Sequence, residues 1–113
     1  MLSQATVDAA LAFRRDRDWE QFHSPRNLAI AISVEAGELL EHFQWMREGE
    51  SRPTASQLDA LELEIADVAI LLSYLVSDLG VDLDATVRRK LALNESRYPV
   101  DKARGSAAKY DAL

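Results

Sequence analysis

The stretch NLAIAISVEAGELLEHFQWM, residues 27–46, is strongly apolar and carries two glutamates three residues apart, Glu35 and Glu38. A second stretch, LDALELEIADVAILLSYLV at residues 58–76, repeats this plan with Glu64 and Asp67. On an α-helix, residues three apart lie on one face, about one turn from each other. Neither stretch shows a sustained alternation of apolar and polar residues, so both predict long helices rather than strands.

Capping and breaking signals divide the chain into four predicted helices. Ser24-Pro25 is typical of a helix start, Thr54 with Gln57 has the form of a capping box, and Gly80 is typical of a left-handed helix stop. The predicted helices cover about residues 4–17, 25 to 46 or 47, 54–79, and from a cap at Asp82 or Asp84 to the residue before Pro99. We therefore predict an all-α single domain over residues 1–113, with a loop at 48–53 and an extended or mobile tail from about residue 100.

Composition excludes several classes of protein. The net charge of −6 disfavours a surface for a nucleic-acid polymer, which usually carries a basic patch. Without cysteine there is neither a disulfide framework nor a thiolate metal site. No apolar run approaches the roughly 20 residues that cross a bilayer, and the first residues lack the pattern of a cleaved signal peptide. We expect a cytoplasmic protein that is not bound to a membrane.

The four acids fall where the core should be. On a helical wheel, Glu35 lies inside one apolar stripe and Glu64 inside another, with Glu38 and Asp67 at their edges. The two stripes consist of Leu28, Ile32, Leu39 and Met46, and of Leu61, Val68, Leu71 and Leu75. Burying unpaired carboxylates costs several kcal/mol, and a hard divalent cation such as Mg²⁺ removes that cost. The alternative is that these pairs lie on ordinary solvated helix faces, as most such pairs do.

The opposite faces of both helices are also apolar, so each helix needs cover on more than one side. These faces carry Ile30, Val34, Gly37 and Leu40 in the second helix, and Leu63, Ile65, Ile70 and Leu72 in the third. We predict self-association into a homodimer or homotetramer. The alternative is that the first and last helices provide enough cover.

Three segments together resemble the MazG-like all-α nucleoside triphosphate pyrophosphatases, in particular their dCTP pyrophosphatase branch. They are RDWEQFHSPRNLAIAISVEAGELLEHFQW at residues 17–45, the E-x-x-D helix, and KLALNESRYPV at residues 90–100. The resemblance covers about residues 13–110. It implies a four-helix MazG-like fold completed by homo-oligomerisation, and a Mg²⁺-dependent enzyme that converts a nucleoside triphosphate, dCTP or a modified dCTP, to the monophosphate and pyrophosphate.

The resemblance also assigns roles to residues. It implies that Glu35, Glu38, Glu64 and Asp67 are catalytic metal ligands, with Glu38 the first candidate for activating water. It implies a substrate pocket that contains Trp19, Glu20, Gln21, Phe22, His23, Trp45, Lys90 and Asn94. From the residues alone, the two tryptophans could instead pack in the core, His23 could bond a helix end, and Lys90 and Asn94 could form a surface patch with Arg97. His42, one turn beyond Glu38, could tune the site.

Two positions depart from the family pattern. Leu71 stands where relatives carry a tyrosine that contacts the nucleotide, and Ala10 stands where they carry a histidine. Neither position is a metal ligand, so the departures concern base and sugar preference, for which Tyr74 could compensate. Two alternative functions stay open: a MazG-like hydrolase with broad or non-cytosine specificity, and a non-catalytic helical oligomerisation module.

Overall fold

The computed structural model describes residues 2–47, 49 and 52–113. These residues form four long helices and contain no β-strand, which confirms the all-α prediction. The helices are α1 (Gln4–Asp16), α2 (Pro25–Glu41), α3 (Ala55–Asp78) and α4 (Leu83–Arg97), followed by a short α5 (Val100–Ala103). Two 3₁₀ segments cover Trp19–Phe22 and Tyr110–Ala112. Residues 48, 50 and 51 of the predicted loop lie outside the described residues.

The predicted caps are confirmed in atomic detail. The hydroxyl of Ser24 accepts a hydrogen bond from the backbone N–H of Asn27 at 3.1 Å. Thr54 and Gln57 form a complete capping box, in which the Gln57 amide oxygen accepts from the Thr54 N–H at 2.7 Å. Gly80 adopts φ +64°, a left-handed conformation that glycine reaches without steric cost. Local sequence therefore determines where α2 begins and where α3 begins and ends.

The second helix ends earlier than predicted. We expected it to continue to Met46 or Arg47, but α2 ends at Glu41 and residues 42–45 form turns. The backbone N–H groups of Phe43 and Gln44 donate to carbonyls three residues back, at 2.9 and 3.4 Å. Such i→i+3 bonds tighten the last turns of a helix and satisfy its free carbonyls without a glycine or proline signal.

The chain contains two compact units, residues 1–80 and 81–113. In the first unit, α2 packs along α3, and α1 packs against α3 and the 3₁₀ segment Trp19–Phe22. Its buried apolar side chains are Leu28, Leu61 and Tyr74. The Tyr74 hydroxyl donates to the Ala10 carbonyl at 2.9 Å and so joins α3 to α1.

The second unit carries α4 and the C-terminal tail. Asp82 is the cap of α4 and accepts a hydrogen bond from the Ala85 N–H at 3.1 Å. The tail, predicted to be extended or mobile, includes α5 and the 3₁₀ segment Tyr110–Ala112 and so is not extended throughout. Tyr110 packs edge-on against Tyr98 at 6.1 Å between ring centroids, and the Arg97 guanidinium lies 4.7 Å from the Tyr110 ring. The assignment of all 113 residues to one functional domain stays a prediction.

The outer faces of α2 and α3 are exposed in the single chain. Leu63 is 71% and Leu40 is 67% exposed, and Val34 and Ile65 are at least half exposed. Large apolar side chains of this kind are normally covered when they lie side by side. In the part of the chain that the structure describes, no helix has the length and apolar character needed to traverse a membrane.

Candidate active site

Three carboxylates from two helices meet in the first unit. One carboxylate oxygen from each of Glu35, Glu64 and Asp67 lies within 4.8 Å of the other two. Glu35 comes from α2 and the other two residues from α3, so the pairing of these helices brings the acids together. Glu35 and Glu64 are half-buried, as their places in the apolar stripes predict, whereas Asp67 is exposed at the stripe edge.

Glu38 is the fourth predicted ligand, and the three-residue group does not include it. It lies on α2 one turn after Glu35 and is half-buried. Its carboxyl group is close enough to Glu35 to affect the charge of that residue. Burial raises the pKa of Glu35 to about 7, with further contributions from Glu38, Asp67 and Glu64. The other three predicted acids therefore all lie close enough to Glu35 to affect its ionisation.

The cluster leaves two oxygens without partners. Oε2 of Glu35 and Oε2 of Glu64 are both buried and accept no hydrogen bond from the residues that the structure describes. Buried polar atoms are normally paired, so two unpaired carboxylate oxygens on residues of one acidic cluster need a positive partner or a proton. The donors are all carboxylate oxygens, which is the ligand set that Mg²⁺ and similar hard cations prefer. These residues therefore fit a divalent metal ion.

His42 borders the cluster. Its Nε2 lies 3.9 Å from Oε1 of Glu64, and it occupies the C-cap position of α2. A protonated imidazole at this distance would compete with a cation for Glu64, whereas a neutral one leaves the carboxylate free. The structure thus places His42 beside the acids, as its spacing from Glu38 suggested.

The predicted substrate segment, Trp19–Phe22, forms a 3₁₀ turn held by its neighbours. It begins after Asp18, which adopts φ +53°, a left-handed conformation tolerated by aspartate. The Gln21 amide nitrogen donates to both the carbonyl and the carboxylate of Asp18, at 3.0 and 2.9 Å. Gln21 therefore stabilises the turn through its side-chain nitrogen. The oxygen of the same side-chain amide could accept a hydrogen bond from a ligand.

The aromatic side chains of this segment differ in exposure. Trp19 packs edge-on against Phe13 with centroids 5.7 Å apart and is 43% exposed. Phe22 is 61% exposed, and its carbonyl accepts a hydrogen bond from the Asn27 side chain at 3.1 Å. Trp45, in the turns after α2, is 87% exposed. The alternative that the two tryptophans are core residues is wrong for Trp45 and only partly right for Trp19.

Lys90 and Asn94 belong to the second unit, which is described by itself. They lie one turn apart on α4, with Lys90 exposed and Asn94 half-buried. Lys90 also lines a shallow groove of about 400 Å³ with Thr86, Arg89 and Leu93. A cationic helix face suits triphosphate oxygens, but the proposed contact of these two residues with substrate stays a prediction.

One polar group in the first unit was not found by sequence reasoning. Arg14, only 5% exposed, donates two hydrogen bonds to the carboxylate of Asp78, at 2.7 and 2.8 Å. These residues are 64 positions apart, so no helical spacing links them. The sequence signal was only that an arginine falls in a helix with few apolar residues. Tyr74, considered as a substitute for the tyrosine missing at Leu71, instead bonds to the Ala10 carbonyl.

The chain is similar in sequence to proteins of known family. The sequence profile of the MazG-like family matches residues 30–113. Rat dCTP pyrophosphatase 1 is 48% identical over 104 residues, which is 89% of this chain and 61% of the rat protein. Human dCTP pyrophosphatase 1 is 45% identical over the same shares of both chains. The chain thus spans about three fifths of the length of the curated relatives that it matches.

A solved structure shows a similar fold. The crystal structure of a pyrophosphatase from Archaeoglobus fulgidus DSM 4304 matches with a TM-score of 0.70 and 36% sequence identity. The match covers 85% of this chain and 91% of the archaeal one. The similarity therefore extends over nearly the whole of a solved protein.

Proposed function

This chain belongs to the MazG-like family, and from that premise we propose that it is a Mg²⁺-dependent nucleoside triphosphate pyrophosphohydrolase. The proposed substrate is dCTP or a modified dCTP, and the products are the monophosphate and pyrophosphate. The names of the rat and human relatives support the substrate, and the archaeal pyrophosphatase supports the reaction. The biological role would be to remove unwanted nucleotides before polymerases use them.

The observation that carries the proposal is the carboxylate cluster with its two orphaned oxygens. Glu35, Glu64 and Asp67 would hold the cation, with Glu38 beside Glu35 as the fourth acid. When bound, a divalent cation neutralises phosphate charge and lowers the pKa of water. Without it, an acidic cluster would repel a triphosphate, so the chain's own charge makes nucleotide binding depend on the metal.

The acids have separate proposed tasks. Hydrolysis between the α- and β-phosphoryl groups consumes one water molecule, whose proton must pass to a base. Glu38 is the proposed base, because it lies next to the three-carboxylate group without being part of it. His42 Nε2 lies 3.9 Å from Oε1 of Glu64, and we propose that this histidine influences the charge of that ligand electrostatically.

The exposed aromatics provide the proposed base site. Trp19, Phe22 and Trp45 present ring faces on which a base can stack, and stacking contributes roughly 1–3 kcal/mol per base. Glu20, Gln21 and His23 supply polar atoms nearby in sequence, and Gln21 offers its carbonyl oxygen as an acceptor. Lys90 and Asn94 are proposed to contact the phosphates and the sugar.

A broader or non-cytosine specificity is the second candidate. It is favoured by the hydrogen bond from the Tyr74 hydroxyl to the Ala10 carbonyl, because a tyrosine used in this way does not replace the one missing at Leu71. Catalysis would proceed in the same cluster, since neither Leu71 nor Ala10 is a proposed ligand. Only the ranking of substrates distinguishes this candidate from a dCTP-specific enzyme.

We further propose that the protein is a homodimer or homotetramer in the cytoplasm. The exposed apolar faces of α2 and α3 support self-association. Cytoplasmic location fits a nucleoside triphosphate substrate and a chain without cysteine.

Pyrophosphate release from a panel of nucleoside triphosphates tests the function. The panel contains the four deoxynucleotides, their ribose counterparts and base-modified dCTP analogues, each with Mg²⁺ or with EDTA. We expect Mg²⁺-dependent release with dCTP or a modified dCTP ranked first, and a loss of at least about 100-fold in Glu64→Gln. Asp84→Asn, at an exposed acid of α4, is the matched control and should keep full activity.

Two outcomes would contradict the proposal. Release from none of the triphosphates would support a non-catalytic helical module. Equal pyrophosphate release with EDTA and with Mg²⁺ would show that activity does not depend on a metal held by the carboxylate cluster.

A further inference from the structure

A partly buried ion pair joins the end of α1 to the end of α3: Arg14 is buried, whereas the Asp78 side chain is 29% exposed. Arg14 is 5% exposed and binds Asp78 through two hydrogen bonds of 2.7 and 2.8 Å. These bonds hold the pKa of Asp78 below its usual value, so the pair is charged at neutral pH. Breaking such a pair leaves an uncompensated buried charge, and the pair is therefore a rigid connection between the two helices.

The ion pair also fixes Tyr74, one turn before Asp78. The Arg14 guanidinium lies 4.6 Å from the centroid of the Tyr74 ring, close enough for a cation–π interaction. Tyr74 is 3% exposed and donates its hydroxyl proton to the Ala10 carbonyl at 2.9 Å. Arg14, Tyr74 and Asp78 thus form one connected polar group, in which Arg14 and Tyr74 are buried.

Both flanks of the Trp19–Phe22 segment rest on this group. Before the segment, Phe13 and Arg14 both lie in the last turn of α1, and the Trp19 ring packs against the Phe13 ring. After the segment, His23 stacks on the Tyr74 ring with centroids 5.5 Å apart and an interplanar angle of 28°. Tyr74 therefore contacts Arg14, five residues before the aromatic turn, and His23, directly after it.

We propose that Arg14 and Asp78 are positioning residues for the nucleotide base: their ion pair holds Tyr74, and Tyr74 fixes the Trp19–Phe22 segment from both flanks. The Trp19–Phe22 segment, the proposed platform on which the base stacks, needs such support, because Trp19 and Phe22 are too exposed to be held by core packing. This inference rests on the proposed function of the segment. It assigns no chemical step to the pair.

The ion pair is remote from the carboxylate cluster. Asp78 follows Asp67 by eleven residues on α3, which corresponds to about 16 Å along the helix axis. Loss of the pair should therefore weaken base binding without altering the acids that hold the cation. A displaced platform costs binding of the base, and displacements of about 1 Å can change rates or affinities by up to about 100-fold.

Steady-state kinetics of Asp78→Asn tests the inference. We expect KM for the preferred triphosphate to rise by at least about tenfold, while kcat with saturating Mg²⁺ stays within about twofold. Asp78→Glu keeps the carboxylate and should recover most of the affinity. Asp84→Asn removes an acid from the exposed Asp84–Arg88 pair on α4 and should change neither constant. An unchanged KM in folded Asp78→Asn would overturn the inference, as would an equal loss in kcat.

Fluorescence of Trp19 provides a readout that needs no substrate. In a Trp45→Phe background, Trp19 is the remaining tryptophan, and we expect Asp78→Asn to lower its anisotropy and increase its quenching by acrylamide. Far-ultraviolet circular dichroism at the same temperature establishes that the helices are intact. Unchanged Trp19 fluorescence in the folded variant would overturn the inference. If the unmodified chain hydrolyses no triphosphate, the proposed function fails, and this measurement alone decides whether the pair positions the segment.

Discussion

Glu35 controls the charge of the carboxylate cluster in the absence of metal. Burial and its acidic neighbours raise its pKa to about 7, against 4.5 for a glutamate in an unfolded chain. Between these values the folded state binds a proton that the unfolded state has released, so stability falls as pH rises from about 4.5 to about 7. We expect the Tm of EDTA-treated protein to decrease over this interval and the decrease to be smaller in Glu35→Gln. Equal slopes in the two proteins would contradict a raised pKa at Glu35.

Metal binding should reverse this loss of stability. A ligand that binds only the folded state stabilises it, by about 2.7 kcal/mol at a concentration 100 times its Kd. We therefore expect Mg²⁺ to raise the Tm at pH 7.5 in the unmodified chain and to have little effect on Glu35→Gln or Asp67→Asn. Thermal unfolding with and without Mg²⁺ measures this, with Asp84→Asn as the control that keeps the full shift. A shift that persists in both cluster variants would place the metal elsewhere.

Asp78 should contribute measurably to stability through its two bonds from Arg14. Hydrogen bonds to charged groups contribute about 1.5–3 kcal/mol, and we expect Asp78→Asn to cost about this amount in urea unfolding at pH 7. The pKa of Asp78 is lowered in the fold, so the difference is present above the unfolded value of 3.8 and disappears as pH falls through the folded value. The exposed Asp84–Arg88 pair should contribute below about 1 kcal/mol. Equal costs for the two variants would mean that Arg14 finds another partner.

At the scale of helices and turns, sequence patterns predicted most of what local interactions determine. The capping box at Thr54, the Ser24-Pro25 start and the left-handed Gly80 all depend on residues within four positions of each other. The apolar stripes correctly predicted that Glu35 and Glu64 are half-buried, because helical periodicity alone decides on which face of its helix each glutamate lies. The sequence patterns did not predict the early end of α2 or the 3₁₀ turn after Asp18. Both depend on i→i+3 hydrogen bonds that no glycine or proline marks in the sequence.

The capping box offers a direct test of this local control. Thr54→Ala removes the side-chain acceptor for the Gln57 N–H, at 3.3 Å, and should cost about 1 kcal/mol of unfolding free energy. Ser77→Ala, at an exposed position near the other end of α3, is the control and should change stability by less than about 0.5 kcal/mol. Urea unfolding followed by circular dichroism measures both. A negligible cost at Thr54 would show that packing on α2, rather than the cap, determines where α3 begins.

At the scale of the whole molecule, sequence alone could not find contacts between distant residues. The Arg14–Asp78 pair and the Tyr74–Ala10 bond each join residues 64 positions apart and follow from how α1 packs on α3. The meeting of Glu35 with Glu64 and Asp67 could be anticipated only because each helix carries its acids on one face; the role of the four acids as metal ligands stays a prediction. The predicted apolar outer faces are present and exposed in the single chain.

The exposed faces lead to a prediction about assembly. Leu63 is 71% exposed on α3, and burying a leucine side chain contributes about 1.5–3 kcal/mol. In a two-fold interface each substitution occurs twice, so Leu63→Glu should raise the dissociation constant of the oligomer by well over about tenfold. Sedimentation velocity across a range of protein concentrations measures the change. Glu62→Lys, at the neighbouring exposed acid, is the control and should leave the assembly intact.

Dissociation also separates assembly from metal binding. Glu35, Glu64 and Asp67 come from α2 and α3 of one chain, so a single copy already contains the three-oxygen cluster. We therefore expect monomeric Leu63→Glu to keep its Mg²⁺-dependent rise in Tm even where its activity changes. A monomer that has lost this rise would show that the paired chain holds the acids in place. An unmodified chain that sediments as a monomer at all concentrations would instead mean that its apolar faces are not covered by a second copy.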